Sequence, residues 1–296
     1  IRRSQDGMDT LVIACEYDAL NRLVSEERDG ARVEYAYDAA GNRTAMTTLQ
    51  ETLSYTYDAA DQLLSAGSAT FTYDANGNQV ARTDASGTHT LAYDDRNLLV
   101  EITNPAGEST TYAYDAYGLL VVVENGSGTQ RTLRDGYLEL LTGTEDFGEG
   151  LAYLWGVGQR VFDRPLGSAD TEAVTGYLGD GLGNVAYIAD GTGTLTAAVA
   201  QAAFGRLLEP SGEETSILFQ GMLGVETVSA LDGIYLMGHR YYDADSGRFL
   251  TRDPLPGQAA QPQTLNRYAY ALANPLRYVD PWGLSPSEAM KEWLQA

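Results

Sequence analysis

Short stretches in which apolar and polar residues alternate run through most of this chain, and turn-forming Gly, Asn or Asp residues bound them. In the stretch Tyr35-Ala36-Tyr37, alternation places both rings on the same face of a strand. Asp38 then opens a turn, where its carboxylate can accept backbone N–H groups two or three residues further on. Gly41 accommodates a positive φ, after which the strand pattern resumes. Each such unit therefore predicts two short strands and two turns.

The pair Tyr-Asp repeats along the first half of the chain. It occurs at Tyr17-Asp18, Tyr37-Asp38, Tyr57-Asp58, Tyr73-Asp74, Tyr93-Asp94 and Tyr114-Asp115. A unit of two strands cannot bury its own apolar face, so neighbouring units must stack, as they do in other repeat proteins. The repeat therefore predicts an all-β fold of the β-solenoid type, in which the tyrosines pack and the aspartates shape turns.

Changes in this pattern divide the chain into four segments. They are residues 1–135, 136–230, 231–284 and 285–296. The first holds the Tyr-Asp repeats, the second continues them in a weaker strand and Gly-turn pattern, and the third is denser in Arg, Tyr and Pro. The chain opens in mid-pattern and shows no signal peptide, so we expect a fragment of a longer protein.

The last segment predicts the start of a helix. Ser285 fits an N-cap, Pro286 fits the first helical position, and Glu288 closes a capping box. The apolar residues that follow at helical spacing are Ala289, Met290, Trp293 and Leu294. We expect this segment to be the truncated beginning of a cargo domain.

Charge and composition exclude several classes of partner. Among 296 residues, 41 are acidic and 19 basic, which gives a net charge of −22. Such a surface repels phosphate backbones and anionic lipids, so nucleic acid is not an expected partner. The longest apolar run, 119–123, is too short to cross a membrane. Cys15, His89 and His239 do not form a metal motif at a recognised spacing, and no cofactor is expected.

These motifs together resemble a known family. The Tyr-Asp units are similar to the YD repeats of Rhs proteins, teneurins and the C subunits of bacterial Tc toxins. The stretch GHRYYDADSGRFLTRDPL, followed by NRYAYALANPLRYVDPWGL, closely resembles the Rhs repeat-associated core domain. The resemblance is loose over 1–230 and tight over 231–284. It implies that the repeats spiral into a hollow β-shell whose end is plugged by the core domain.

The resemblance also implies an activity. In bacterial members the core domain is an aspartyl autoprotease that cuts after the Leu of Asp-Pro-x-Gly-Leu and leaves a C-terminal toxin loose inside the shell. Carried over to this chain, the cut falls between Leu284 and Ser285. Asp253 and Asp280 match the two catalytic aspartates, and Arg240 matches an arginine that supports them. The implied partners are the chain's own toxin segment and the bacterial secretion or toxin-delivery machinery that would carry it out of the cell.

Elementary chemistry is consistent with such a reaction. Peptide hydrolysis by two carboxylates needs one ionised group that takes a proton from water and one protonated group that donates to the carbonyl oxygen. Pro281 fixes φ and Gly283 permits a sharp reversal, so this turn is able to present Leu284 to the pair. Presentation within one molecule is worth about 7–11 kcal/mol in favourable cases.

A structural alternative stays open. Asp-Pro-Trp-Gly is also a near-ideal type I turn, and Arg252-Asp253-Pro254 fits another turn with a surface ion pair. The chain would then be a non-catalytic YD-repeat module that binds protein or carbohydrate partners. Two departures from the family pattern also occur. His239 stands where a small or other residue is frequent, and Ala202-Ala203-Phe204-Gly205 lacks the Tyr and Asp of the family's Tyr-Asp-x-Phe-Gly turn.

Overall fold

Short antiparallel strands make up nearly all the regular structure of this computed structural model. It describes residues 13–28, 30–136, 138–156, 159–168, 170, 173–208, 217–284 and 286–288. The strands of the described residues are β1 Ile13–Tyr17, β2 Leu23–Arg28, β3 Ala31–Tyr37, β4 Arg43–Thr47, β5 Thr52–Tyr57, β6 Leu63–Ala66, β7 Ala69–Tyr73, β8 Gln79–Asp84, β9 Gly87–Tyr93, β10 Leu99–Thr103, β11 Ser109–Tyr114, β12 Leu120–Asn125, β13 Gly128–Asp135, β14 Leu138–Gly143, β15 Gly150–Gly156, β16 Gln159–Pro165, β17 Thr175–Gly179, β18 Val185–Ala189, β19 Leu195–Ala198, β20 Glu226–Thr227, β21 Ile234–Met237, β22 Arg240–Asp243, β23 Arg248–Phe249, β24 Tyr278–Val279 and β25 Ser287–Glu288. Three short 3-10 helices lie at Gly221–Leu223, Pro262–Leu265 and Ala271–Ala273.

One long sheet forms the wall of the molecule. It has 19 strands, and each of β1 to β18 pairs antiparallel with the strand that follows it in sequence. Consecutive strands joined by short loops pair this way because hairpins need only a few connecting residues. Two smaller sheets follow, β20–β23 and β24–β25. The prediction of an all-β, YD-repeat shell is confirmed.

The repeated turn has closely similar hydrogen bonds at the Tyr-Asp pairs, and Asp94 shows the full set. Its carboxylate Oδ1 accepts the N–H groups of Arg96 and Leu98, each at 2.9 Å. The Asp94 N–H donates to the Leu98 carbonyl, and the Asn97 N–H donates to the Asp94 carbonyl, also at 2.9 Å each. Asn97 has a φ of 62°. This is a type I turn followed by a left-handed residue, and the carboxylate therefore reaches two and four residues on, not two or three.

Several tyrosines of the repeat, among them Tyr37 and Tyr57, tie one hairpin to the previous one. Tyr35 is buried and Tyr37 packs against the same core, so both rings share a face as predicted. The Tyr37 hydroxyl donates to the Leu23 carbonyl at 2.9 Å, and the Tyr57 hydroxyl donates to the Arg43 carbonyl at 2.7 Å. A phenylalanine would fill the same space but leave these carbonyls without their donor, which explains why Tyr exceeds Phe, 20 to 6.

The segment after β19 packs against the inner face of this wall. Its aromatic centre is a mutually contacting group, Phe219, Tyr242, Phe249 and Tyr270. Its polar side chains bind the left-handed residues of the repeat turns. Asn274 donates to the Asn21 carbonyl at 2.7 Å, and the Tyr268 hydroxyl donates to the Gly77 carbonyl at 2.7 Å. The repeat turns thus serve as docking points for the C-terminal segment.

The turn that lacks its Tyr and Asp forms nevertheless. The Ala202 N–H donates to the Arg206 carbonyl at 2.8 Å, and the Gly205 N–H donates to the Ala202 carbonyl at 2.9 Å. Glu26, on β2, supplies a carboxylate that accepts the Ala203 N–H at 2.9 and 3.0 Å. Phe204 then packs edge-on against the Tyr35 ring. A distant carboxylate and an aromatic contact therefore hold this turn.

The end of the described chain is a strand where a helix start was predicted. Ser287 and Glu288 form β25, which pairs with β24. The helix prediction is wrong for these two residues, because β24 offers them backbone partners and a short isolated helix is only marginally stable. The rest of that prediction, at Ser285 and residues 289–296, lies outside the described residues.

Candidate active site

Arg240 lies between the two aspartates that the sequence singles out. Its Nη2 is 2.9 Å from Asp253 Oδ2 and 3.4 Å from Asp280 Oδ2. The side chains of Arg240 and Asp280 are only 4% and 2% exposed, and that of Asp253 is 17% exposed. The fold thus brings together three residues that are well separated in sequence, and it buries two of them.

Each of the three is positioned by backbone contacts. Arg240 begins β22, whose Leu236–Tyr241 pairing with β21 fixes its direction. The Asp253 N–H donates to the Arg267 carbonyl at 2.8 Å, and Arg267 Nε donates back to the Asp253 carbonyl at 2.7 Å. Asp280 follows β24 directly. Three separate chain segments therefore converge at this site.

The turn after β24 is bound to the same charged groups. The Gly283 N–H donates to the Asp280 carbonyl at 3.1 Å, and Gly283 has a φ of 66°. Arg240 Nε donates to the Gly283 carbonyl, and Asp280 Oδ1 accepts the Leu284 N–H at 3.0 Å. Both ends of the Gly283–Leu284 peptide are therefore held by the arginine and one aspartate. Ser285, the other predicted cleavage residue, lies outside the described residues.

Close approach of two backbones requires glycine at this turn. A Cβ on Gly283 would lie 2.5 Å from the Met237 carbonyl oxygen, and a Cβ on Gly238 would lie 2.7 Å from the Trp282 carbonyl oxygen. The His239 N–H donates to that Trp282 carbonyl at 3.1 Å. Pro281 is buried beside them. The predicted turn-shaping residues Pro281 and Gly283 thus lie where the turn meets the hairpin that carries Arg240.

Burial and charge set the protonation of the site. Desolvation raises the pKa of Asp253 above its ordinary value, although the neighbouring Arg240 opposes this shift. Desolvation also lowers the pKa of Arg240, which both carboxylates oppose, and a guanidinium remains charged in proteins. The Arg240 Cζ lies 3.6 Å from the centroid of the Phe249 ring. One cation facing two carboxylates leaves one excess negative charge, which a single proton neutralises.

Sequence reasoning missed several residues of this site. The Arg267 carbonyl accepts Arg240 Nη1 at 3.2 Å, and Phe249 stacks on the guanidinium. Tyr270 is fully buried next to Asp280, whose charge adds to burial in raising the pKa of its hydroxyl. The only signal available was the density of Arg and Tyr after residue 231, because these contacts join residues that share no motif.

Among the described residues, no group of three or more His, Cys, Asp and Glu side chains comes together as a set of metal ligands. No helix in the described ranges is long and apolar enough to span a bilayer.

The wall and its docked segment define a class of protein, a β-shell built from Tyr-Asp hairpins. Residues 7–133 match the family model described as Teneurin YD-shell. The resemblance to YD-repeat proteins and the shell-type β-fold that the repeats predicted are therefore confirmed.

Known proteins resemble this chain over most of its length. It is 30% identical over 283 residues to the tRNA3(Ser)-specific nuclease WapA of Bacillus spizizenii, covering 90% of this chain and 12% of that protein. It is 41% identical over 58 residues to double-stranded DNA deaminase toxin A of Burkholderia cenocepacia, covering 20% of this chain and 4% of the relative. The crystal structure of TcdB2-TccC3 aligns with a TM-score of 0.52 and 19% identity, over 93% of this chain and 19% of that one. At this identity the structural likeness shows the fold alone, and the chain spans a small part of each protein it matches.

Proposed function

We propose that this chain is part of a Rhs-type shell that encloses a C-terminal toxin segment and frees it by intramolecular aspartyl proteolysis between Leu284 and Ser285. The observation that carries this proposal is the arrangement of Arg240, which bridges Asp253 and Asp280 while it also holds the Gly283 carbonyl. Two relatives are named as a nuclease and a deaminase toxin, which agrees with a toxin as cargo. Segments 231–284 and 285–296 would then be the protease and the start of the cargo, delivered by a bacterial toxin system.

The environments of the two aspartates suggest distinct roles. Asp280 accepts hydrogen bonds from Arg240 and from the Leu284 N–H, which place its carboxylate beside the residue whose carbonyl would be attacked. Asp253 has a raised pKa and retains some exposure, so it holds a proton more readily. Asp280 is therefore the base that takes a proton from water, whose oxygen bonds to the Leu284 carbonyl carbon. Asp253 donates its proton to the Leu284 carbonyl oxygen as the water oxygen adds. The proton taken by Asp280 then passes to the Ser285 nitrogen as the carbon–nitrogen bond breaks, and the hydroxyl proton of the intermediate returns to Asp253.

Arg240 orders the substrate as well as the catalytic groups. It binds the carbonyl one residue before the proposed cut, and Asp280 binds the N–H of the same peptide. Because enzyme and substrate are one chain, this clamp removes the entropy of bringing them together, which is worth about 7–11 kcal/mol in favourable cases. No cofactor is needed for such a reaction.

The intact mass of purified full chain tests this proposal. The wild type is expected to lose residues 285–296, and Asp253→Asn and Asp280→Asn are each expected to stay whole, because Asn keeps the shape but cannot exchange the proton. Arg240→Ala should slow the cut, and Leu284→Ala should have a milder effect because it trims only the substrate. Thermal unfolding of each variant controls for loss of fold. If either Asn variant is cut at the wild-type rate, that aspartate is a structural residue and the protease proposal fails.

The alternative function is a non-catalytic module in which the repeats present a surface to protein or carbohydrate partners. The observation that favours it is that Arg240 and its two carboxylates also satisfy one another as a buried ion-pair network, which needs no catalytic purpose. A wild-type chain that keeps its full mass of 31.9 kDa after prolonged incubation would support this alternative.

A further inference from the structure

The two strands that flank the proposed cut in sequence, β24 and β25, pair with each other as a β-hairpin. Tyr278 lies opposite Glu288, and Val279 lies opposite Ser287. Asp280 leaves the first strand and enters the loop, so the predicted base lies at the foot of the hairpin whose loop it would cut. The chain beyond the cut is therefore held in place by backbone pairing to the segment before it.

The strand that receives this chain is firmly anchored. Val279 is 3% exposed and packs with Leu223. The Tyr278 N–H donates to the Asn274 carbonyl at 3.0 Å, and the Asn274 side chain donates to the Asn21 carbonyl in a turn of the wall. A strand fixed in this way presents a stationary edge to which an extended peptide can add.

We propose that this edge of β24 is the binding site for the residues that follow the cut, and that it recognises them through their backbone. The proposal rests on the function proposed above. Upstream of the bond, Arg240 and Asp280 hold the Gly283–Leu284 peptide. Downstream of it, β24 pairs with residues 287 and 288. A chain held at residues 283–284 and again at residues 287–288 keeps the segment between them close to the carboxylates, as rapid intramolecular reaction requires.

Backbone recognition has a specific consequence for the substrate. Main-chain hydrogen bonds do not depend on side-chain identity, so the first residues of the cargo are free to vary as long as they can adopt an extended conformation. Proline is the exception, because it has no N–H to donate. The substrate class is thus any cargo whose third and fourth residues form a strand.

Paired substitutions in the full chain separate backbone from side-chain recognition. In an antiparallel pair only alternate residues exchange hydrogen bonds, so Ser287→Pro and Glu288→Pro must both be made, with Ser287→Ala and Glu288→Gln as matched controls. At least one proline variant is expected to slow the loss of residues 285–296 on the order of tenfold, and both controls should be cut at the wild-type rate. The measurement is the time course of intact mass, with thermal unfolding to verify the fold.

A second readout does not depend on cleavage. In the Asp280→Asn background, one of the two backbone amides of residues 287 and 288 should be protected from hydrogen exchange, and it should stay protected with Ser287→Ala or Glu288→Gln present. Fast exchange at both amides would overturn this inference. If the wild type is cut and both proline variants are cut at the same rate, this inference is overturned and the proposed function stands. A wild type that is not cut at all overturns the proposed function and this recognition with it.

Discussion

The hydroxyl oxygens of Tyr114 and Tyr241 lie 2.8 Å apart. Tyr114 ends wall strand β11 and is the last of the Tyr-Asp tyrosines, whereas Tyr241 follows Arg240 on β22. The Tyr114 hydroxyl already donates to the Leu99 carbonyl at 2.6 Å, so the proton between the two oxygens comes from Tyr241. A repeat tyrosine thereby accepts a hydrogen bond from the strand that carries the candidate catalytic arginine.

This order of donors predicts unequal costs for two matched substitutions. Tyr241→Phe removes one donor and leaves Tyr114 bonded to Leu99, so it should lower the free energy of unfolding by about 1 kcal/mol. Tyr114→Phe removes a donor and an acceptor and leaves the buried Tyr241 hydroxyl without an acceptor. It should therefore lower the free energy of unfolding by about 2–3 kcal/mol. Urea unfolding of both variants measures the difference. Equal costs would contradict the assigned donor order.

Two equivalent glycines differ only in what surrounds them. Gly41 and Gly77 are both in repeat turns with a φ of 86°, but a Cβ on Gly41 would meet nothing within 4 Å. A Cβ on Gly77 would lie 2.6 Å from the Tyr268 hydroxyl and 2.5 Å from Arg252 Nε. Gly41→Ala should therefore cost only the backbone strain of about 1–2 kcal/mol, and Gly77→Ala should cost more. If the urea midpoints of the two variants fall equally, the side chains of Tyr268 and Arg252 move aside at no cost in stability.

The raised pKa of Asp253 predicts how cleavage depends on pH. If Asp253 must be protonated, the rate of cutting falls as pH rises through its pKa, which desolvation places above the ordinary 3.8. The same shift acts on stability. A carboxyl whose pKa is raised on folding adds stability that is present below 3.8 and lost as pH rises through the folded value. Intact-mass time courses from about pH 4 to about pH 8 measure the first effect.

Asp280→Asn, which is expected to remain whole, allows the effect on stability to be measured without cleavage. When Asp253→Asn is added to this variant, the free energy of unfolding should depend less on pH, because the contribution of Asp253 is removed. A cutting rate that rises across the same pH range would instead indicate that Asp253 works in its ionised form.

A second acidic pair joins the wall to the docked segment and predicts another pH dependence. Arg160, fully buried on β16, bonds Glu139 on β14 and lies 4.0 Å from Glu226 on β20, while Arg134 lies 3.2 Å from Glu226. Burial, aided by the charge of Glu226, raises the pKa of Glu139 to about 8. The stability that this proton confers is present below the ordinary 4.5 and is lost as pH rises through about 8.

Unfolding by urea between about pH 6 and about pH 9 should therefore show falling stability. Glu139→Gln, which keeps the neutral shape, should weaken that decline, and Glu145→Gln is a matched control because the Glu145 side chain is 76% exposed. An unchanged slope in Glu139→Gln would mean that another group titrates in this range.

The sequence by itself determined the strands, their turns and the face on which the tyrosines lie. These features depend on interactions within a few residues, such as those of the Asp94 carboxylate with the N–H groups of Arg96 and Leu98. A short sequence motif contains all the residues that make such local interactions, so it predicts them. Even the Ala202–Gly205 turn kept its form without its Asp, because the backbone bonds of the turn remained and Glu26 supplied a carboxylate.

Only the tertiary structure decided how distant groups meet. The motifs named Asp253, Asp280 and Arg240, but the bridge between them depends on three segments converging at one point. The buried Glu139–Arg160 pair had no motif at all, since its partners come from separate strands. Residues 287–288 carried a helix signal and became a strand, because β24 pairs with them and this partner comes from a segment that the local sequence cannot reveal.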